Sequence, residues 1–190
     1  MGDFYIPEPV SRSSYPEEQR TEAVLKDGSV ISIRPIRPVD APLLVEFFNG
    51  LSEGSIIFRF LGPLKTLPPE WVNHFTRIDY TQDVALVAVK EIESRERILG
   101  VCRIMRKRDS TRGELAVVID DHWQGKGIGM MLSQGCISIA KKLGMKSIWG
   151  IVSTQNKKFL ALAEKLGFTI KIDPGAGAYC IDMNPIPNFR

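Results

Sequence analysis

The apolar and polar positions of the chain change their period several times, and each change predicts an element. Residues 30–34, Val-Ile-Ser-Ile-Arg, alternate with the two-residue period of a half-buried strand, directly after the turn signal Lys26-Asp27-Gly28-Ser29. Leu43, Leu44, Phe47 and Phe48 then recur at helical spacing, with Asp40 as a cap before Ala41, Pro42 in the first turn and Gly50 at the end. Residues 52–60 predict a second short helix, and Pro68-Pro69-Glu70 opens a third that carries Trp71, Val72 and Phe75. Three apolar stretches at 84–89, 98–105 and 115–119 predict strands. The charged connections between them, at 90–97 and 106–112, suggest an antiparallel meander.

The clearest helical period follows, in Ile128, Met131, Leu132, Cys136, Ile139, Ala140 and Leu143, with Gly144 placed as a C-terminal cap. A buried strand is predicted over 147–152. Asn156 opens a further helix whose apolar face is Phe159, Ala163 and Leu166, closed by Gly167, and strands at 168–172 and 178–183 complete the pattern. Residues 1–24 show no period and read as a flexible arm, leaving 25–190 as one domain. A meander followed by strand, helix and strand predicts a mixed α/β sheet.

Composition narrows the functions this fold can serve. The chain is 44% apolar and 25% charged, in the ordinary range for a globular domain. Its 25 basic residues exceed its 22 acidic ones by too little to argue for a nucleic-acid surface. No apolar run nears the roughly 20 residues that span a bilayer, and the N-terminus has no basic-then-apolar leader, so no membrane partner is expected and a cytoplasmic location is the default. Cys102, Cys136 and Cys180 are far apart and read as free thiols, Cys136 on the buried stripe of its helix. With His74 and His122 the only histidines, no metal site is expected.

Chemistry concentrates between the strand ending at Ile119 and the long helix, in Gln124-Gly125-Lys126-Gly127-Ile128-Gly129. A glycine-rich loop running into a helix N-terminus presents several backbone N–H groups to one point, where they favour phosphate. Two common phosphate motifs do not fit. A dinucleotide fingerprint beginning Gly125-x-Gly127 needs glycine or alanine where Met130 stands, and a P-loop needs Ser or Thr where Gly127 follows Lys126.

Gln124-x-x-Gly127-x-Gly129 resembles instead the Q/R-x-x-G-x-G/A segment of the GNAT family of N-acetyltransferases. The likeness runs from about Val30 to Met183. It is strongest to the acetyltransferase domains of bacterial Pat-type protein lysine acetyltransferases. Leu51-Ser52-Glu53-Gly54-Ser55 with Arg59-Phe60, Ile78-Asp79-Tyr80 before residues 85–88, and Gly113-Glu114-Leu115-Ala116-Val117-Val118 leading to Asp121-His122-Trp123 carry it. The resemblance implies a central mixed sheet of about six to seven strands with about four flanking helices. It also implies acetyl-CoA as cosubstrate, with the backbone of Val117, Val118 and Ile119 against the pantetheine arm and the amides of Gln124, Gly125, Lys126, Gly127, Ile128 and Gly129 on the pyrophosphate. Asn156 is implied beside the pantetheine, although its position alone equally suggests a helix cap.

Acyl transfer to an amine of pKa about 10.4 first needs the free base, which near pH 7 lies roughly 4.6 kcal/mol above the ammonium form. By resemblance Glu114 is the general base, directly or through water; chemistry alone also allows it to be an exposed strand-start residue. Many relatives place a tyrosine seven residues after the asparagine to protonate the leaving thiolate; here that position is Ala163, which leaves the general acid unassigned. No Ser-His-Asp set stands out, so direct attack of the amine on the thioester is expected. The acceptor is a protein lysine, with an acyl-CoA synthetase as a possible partner, or a small amine. A non-catalytic acyl-CoA sensor is the third reading, and a monomer or homodimer is expected.

Overall fold

The structure, a computed structural model, describes residues 16–107, 110–173, 175 and 177–188. Residues 84–89 are apolar at every position, a pattern suited to a strand covered on both faces, and all six are buried. They begin β3 (Val84–Ile92), which with β4 (Arg95–Arg106) forms the centre of one mixed sheet. Outward from β3 lie β2 (Val30–Pro35) and β1 (Thr21–Val24); outward from β4 lie β5 (Arg112–Ile119), β6 (Ser147–Ser153), β8 (Ala178–Met183) and β7 (Thr169–Asp173). Every neighbouring pair is antiparallel except β5 and β6, which run parallel and are joined by the crossover helix α4 (Ile128–Lys142).

Helices cover both faces. α4 lays Ile128, Leu132, Cys136, Ile137 and Ala140 against Leu86, Ala88, Cys102, Ile104 and Leu115 of the sheet, and α5 (Lys157–Leu166) extends the same layer with Leu160, Ala163 and Leu166. On the other face α1 (Ala41–Asn49) and α3 (Pro69–Thr76) bring Leu44, Phe47 and Phe75 onto Ala85, Val87, Val89 and Val101. The short helix α2 (Glu53–Phe60) packs beside β5. No helix among the described residues is long and apolar enough to cross a membrane.

Several sequence expectations change in detail. Among the described residues the sheet has eight strands and five α-helices flank it, the helices that the pattern predicts, where the resemblance implied about six to seven strands and about four helices. Of the predicted arm, residues 1–15 lie outside the described residues, while Thr21–Val24 pairs antiparallel with β2 as an edge strand. The charged stretch 90–97 is no separate connection. It continues β3 and β4 to a two-residue turn in which Glu93 and Ser94 both have positive φ, 52° and 60°, so the hairpin closes at the Ile92–Arg95 pair.

Asp40 precedes α1 as expected, but its carboxylate bonds no helix amide. It accepts from Arg34 Nη1 at 2.7 Å, Arg34 Nη2 at 3.0 Å and the Arg37 N–H at 2.7 Å. Burial would raise the Asp40 pKa, but the Arg34 and Arg37 donors outweigh it and hold the carboxyl below its ordinary range. Arg34 also bonds Glu96 on β4, so this buried cluster ties β2, α1 and the central hairpin together.

Candidate active site

After β5 the chain turns through Asp120, whose carboxylate accepts the His122 N–H at 2.9 Å, and a single 3₁₀ turn, Asp121–Trp123. The glycine loop follows. Gly125 and Gly127 take φ of +79° and +96°, a region that side-chain-bearing residues avoid, and Gly127 is the N-cap of α4. A Cβ at either would meet nothing within 4 Å, so the conformation demands glycine and the space above it is open. Gly129 has a different reason: a Cβ there would lie 3.3 Å from Leu162, where α4 approaches α5. The backbone N–H groups of residues 124–130 donate to no acceptor among the described residues. Together with the positive end of α4 they form a ready site for phosphate oxygens.

The other wall comes from a fork in the sheet. β5 and β6 pair only from Arg112↔Ser147 to Glu114↔Trp149 and then separate, which frees one backbone edge of residues 115–119. At the fork, a Cβ on Gly150 would stand 3.2 Å from the Leu115 carbonyl oxygen, so glycine permits the close approach there. Beyond it lies a cleft of about 870 Å³, lined on one side by Val117, Val118 and Ile119 and on others by the glycine loop, α5 and α2. An extended molecule with amide groups can pair with a free strand edge as another strand would.

α2 closes the cleft because Asp121 holds its first turn. The Asp121 carboxylate accepts from Ser52 N–H at 2.9 Å, Ser52 Oγ at 2.8 Å and Ser55 Oγ at 2.8 Å. Partial burial raises the Asp121 pKa, and these donors reverse the shift, so the carboxyl titrates below its usual range. Gln124 is fixed from two sides, donating to the Ile119 carbonyl at 3.2 Å and accepting from Lys158 Nζ at 2.8 Å. Lys157, Lys158 and Lys165 of α5 also line the cleft and give it a positive rim.

The residues expected to hold the cosubstrate largely converge. Val117, Val118, Ile119, Gln124, Gly125, Gly127, Ile128, Gly129 and Asn156 all line this cleft. Asn156 serves both readings: its side chain accepts the Phe159 N–H at 3.1 Å and caps α5 while facing the cleft. Lys126 does not line it. Its ammonium pairs with Asp27 at 2.7 Å and lies 4.5 Å from the Trp123 ring centre, so only its backbone remains at the loop.

Glu114 stands outside the cleft wall, on the last rung before the fork, opposite Met105 and Trp149. It keeps access to solvent, yet partial desolvation pushes its carboxyl above the ordinary range, offset in part by the Arg59 guanidinium. Ala163 is fully buried in the core and offers nothing to the cleft. The sequence reading did not assign cleft contacts to Ser52, Ser55, Phe58 and Arg59 of α2 or to the lysines of α5. The lysine pair directly after a capping asparagine was the one local sign available.

Comparison with known proteins agrees with this fold. A family described as "Acetyltransferase (GNAT) domain" matches residues 31–169. The chain is 33% identical over 150 residues to acetyltransferase PA5475 of Pseudomonas aeruginosa, covering 79% of this chain and 81% of that one. Among solved structures, the GNAT domain of S. lividans PAT superposes with a TM-score of 0.82 at 26% identity, covering 90% of this chain and 99% of that domain. The yncA protein of Salmonella typhimurium, a putative acetyltransferase solved with its cofactor acetyl-CoA, shares the fold with a TM-score of 0.64 at 18% identity, over 81% and 93% of the two chains.

Proposed function

Because the chain belongs to the GNAT acetyltransferase family, we propose that it binds acetyl-CoA in the forked cleft and transfers the acetyl group directly to an amine, foremost a protein lysine. The observation that carries this reading is the run of seven backbone amides, residues 124–130, that have no acceptor among the described residues and lie beside the free edge of β5. A diphosphate suits the first, and the amide-bearing pantetheine suits the second. When bound, acetyl-CoA supplies an acyl group already activated as a thioester.

Each step falls to identifiable groups of the chain. The loop amides, the α4 N-terminus and the lysines of α5 take the phosphate charge. The edge of Val117, Val118 and Ile119 directs the arm toward the fork, where β5 delivers Glu114. Glu114 accepts the proton of the amine, directly or through a water, and its raised pKa makes it a stronger base than a surface carboxylate. Ala163 brings no hydroxyl, so water returns the proton to the leaving sulfur.

The likeness of Leu51-Ser52-Glu53-Gly54-Ser55 and of 113–125 to Pat-type domains supports a protein lysine over a small amine, with an acyl-CoA synthetase as a candidate partner. The test is incubation with labelled acetyl-CoA and cell lysate, followed by mass spectrometry for new acetyl-lysine and for acetylated small amines. New acetyl-lysine supports the protein acceptor. Label confined to small amines moves the assignment to them, and no acetyl-CoA binding by calorimetry refutes the cleft itself.

A further inference from the structure

Two arginines sit on the α1–α3 side of the sheet with no ion pair among the described residues. Arg103 of β4 is 3% exposed. Its Nη2 donates to the Phe75 carbonyl at 3.3 Å, its guanidinium lies 4.2 Å from the Phe75 ring centre, and its Nη1 is buried with no partner. Arg59 of α2 is half-buried, stacks at 4.9 Å on Phe60 and bonds no acceptor among the described residues. Burial lowers the pKa of both, Arg59 to about 10 against the pull of Glu114, and Arg103 to about 9 with repulsion from Arg59 adding to the effect. Both stay charged at neutral pH, and each disfavours the other.

Both arginines line a side pocket of about 30 Å³ walled by Phe60, Phe75 and Val118. That is room for one or two water-sized groups. Arg59 and Val118 also line the large cleft, so the pocket adjoins its inner wall. Arg103 pairs with Ala116 across β4 and β5, which makes it the diagonal neighbour of Glu114 on one sheet face. Desolvated cations weaken a fold unless something balances them; Glu114 pulls on Arg59 from a distance, while Arg103 keeps a buried Nη1 with no partner.

We propose that Arg59 and Arg103 receive a carboxylate of the substrate at the inner wall of the cleft, on the sheet face that also carries Glu114. The planar, forked donors of arginine suit a carboxylate, and the aromatic walls exclude the water that would compete for it. The carboxylate belongs either to the acceptor, as an acidic group near the amine, or to the far end of a dicarboxylic acyl group on coenzyme A. This inference rests on the assignment of the cleft to an acyl-CoA and extends it to the choice of substrate.

The test has two arms and a control that needs no turnover. One arm compares succinyl-CoA with butyryl-CoA in binding and transfer. The other offers acetyl-CoA with lysine peptides carrying a neighbouring glutamate or glutamine. The control measures the thermal midpoint in sodium malonate against sodium chloride at equal ionic strength. The expected result is a preference of tenfold or more for the carboxylate in one arm, which identifies its source, and a rise in midpoint with malonate. Arg103→Met should remove the preference and the malonate effect, leave the neutral substrate within about threefold of wild type, and leave the midpoint in chloride unchanged or higher; Arg59→Gln should likewise remove the preference and the malonate effect. Equal handling of charged and neutral substrates in both arms, with no malonate effect, overturns the proposal. So does an Arg103→Met protein that keeps the preference or loses stability in chloride, because the arginine then serves packing. Loss of acetyl-CoA binding in the wild type would instead strike the cleft assignment.

Discussion

Glu114→Gln separates a base from a strand-start residue, because the two roles predict opposite balances of rate and stability. Near pH 7 an amine of pKa about 10.4 reaches its free base at a cost of roughly 4.6 kcal/mol. A positioned base that takes the proton during attack typically contributes about 10²–10⁴ in rate, or roughly 2.7–5.4 kcal/mol. Desolvation raises the Glu114 pKa above 4.5 in the folded chain, and Arg59 offsets only part of it. A carboxyl whose pKa is raised by folding makes the fold less stable as pH climbs above the unfolded value, so at neutral pH its charge is a liability. The neutral, nearly isosteric amide should therefore leave the thermal midpoint unchanged or slightly higher while kcat/KM falls at least a hundredfold. Initial rates of coenzyme A release between pH 5 and 9, with acetyl-CoA affinity measured in parallel, make the comparison. The wild-type profile should rise through a carboxylate titration above its ordinary position, and the variant should lose that limb. Activity within twofold of wild type across the range would refute the assignment, as would a rate loss matched by an equal loss of acetyl-CoA affinity.

Three further outcomes follow from the same structure. Gly127→Ala must hold an L-residue at φ +96°, a strain of about 1–2 kcal/mol, and should weaken acetyl-CoA at least tenfold by turning the loop amides; unchanged affinity by calorimetry would show that the cradle lies elsewhere. Asp121→Ala removes the acceptor of three hydrogen bonds from Ser52 and Ser55, so urea unfolding should show a loss of about 1–3 kcal/mol and acetyl-CoA should dissociate faster, both absent if α2 needs no anchor. Asp40→Asn breaks the buried pair with Arg34 and should cost about 3–5 kcal/mol. Since folding lowers the Asp40 pKa, the stability it contributes is present above the unfolded value near 3.8 and is lost as pH falls through the folded one. The wild type but not the variant should show that acid-side loss in chemical denaturation.

The parts legible in the sequence were those that local pattern dictates. The unbroken apolar run at 84–89, the helical period from Ile128 to Leu143 and the glycines at Gly125 and Gly127 each reflect forces acting within a few residues, and the loop between strand and helix followed from them. The parts that local pattern does not reach depend on contacts between distant residues. Ser52 and Asp121 are 69 residues apart, and the Lys126 ammonium pairs with Asp27, 99 residues away. Asp40 looked like a cap because the preference for aspartate there is strong, but a buried arginine competes better for its carboxylate than a helix amide does. The short edge strand Thr21–Val24 has too little apolar alternation to stand out.

The fork between β5 and β6 also divides the molecule mechanically. The five strands β1 to β5 and the three strands β6 to β8 share one sheet through only the rungs from Arg112↔Ser147 to Glu114↔Trp149, with α4 bridging the seam. A molecule lodged in the fork stands where further rungs would have been and touches both halves. It works as a strut, and the filled protein should resist opening along a line where the empty one is weakest. A pantetheine arm bound there as proposed would brace the two halves while in place and release them on leaving.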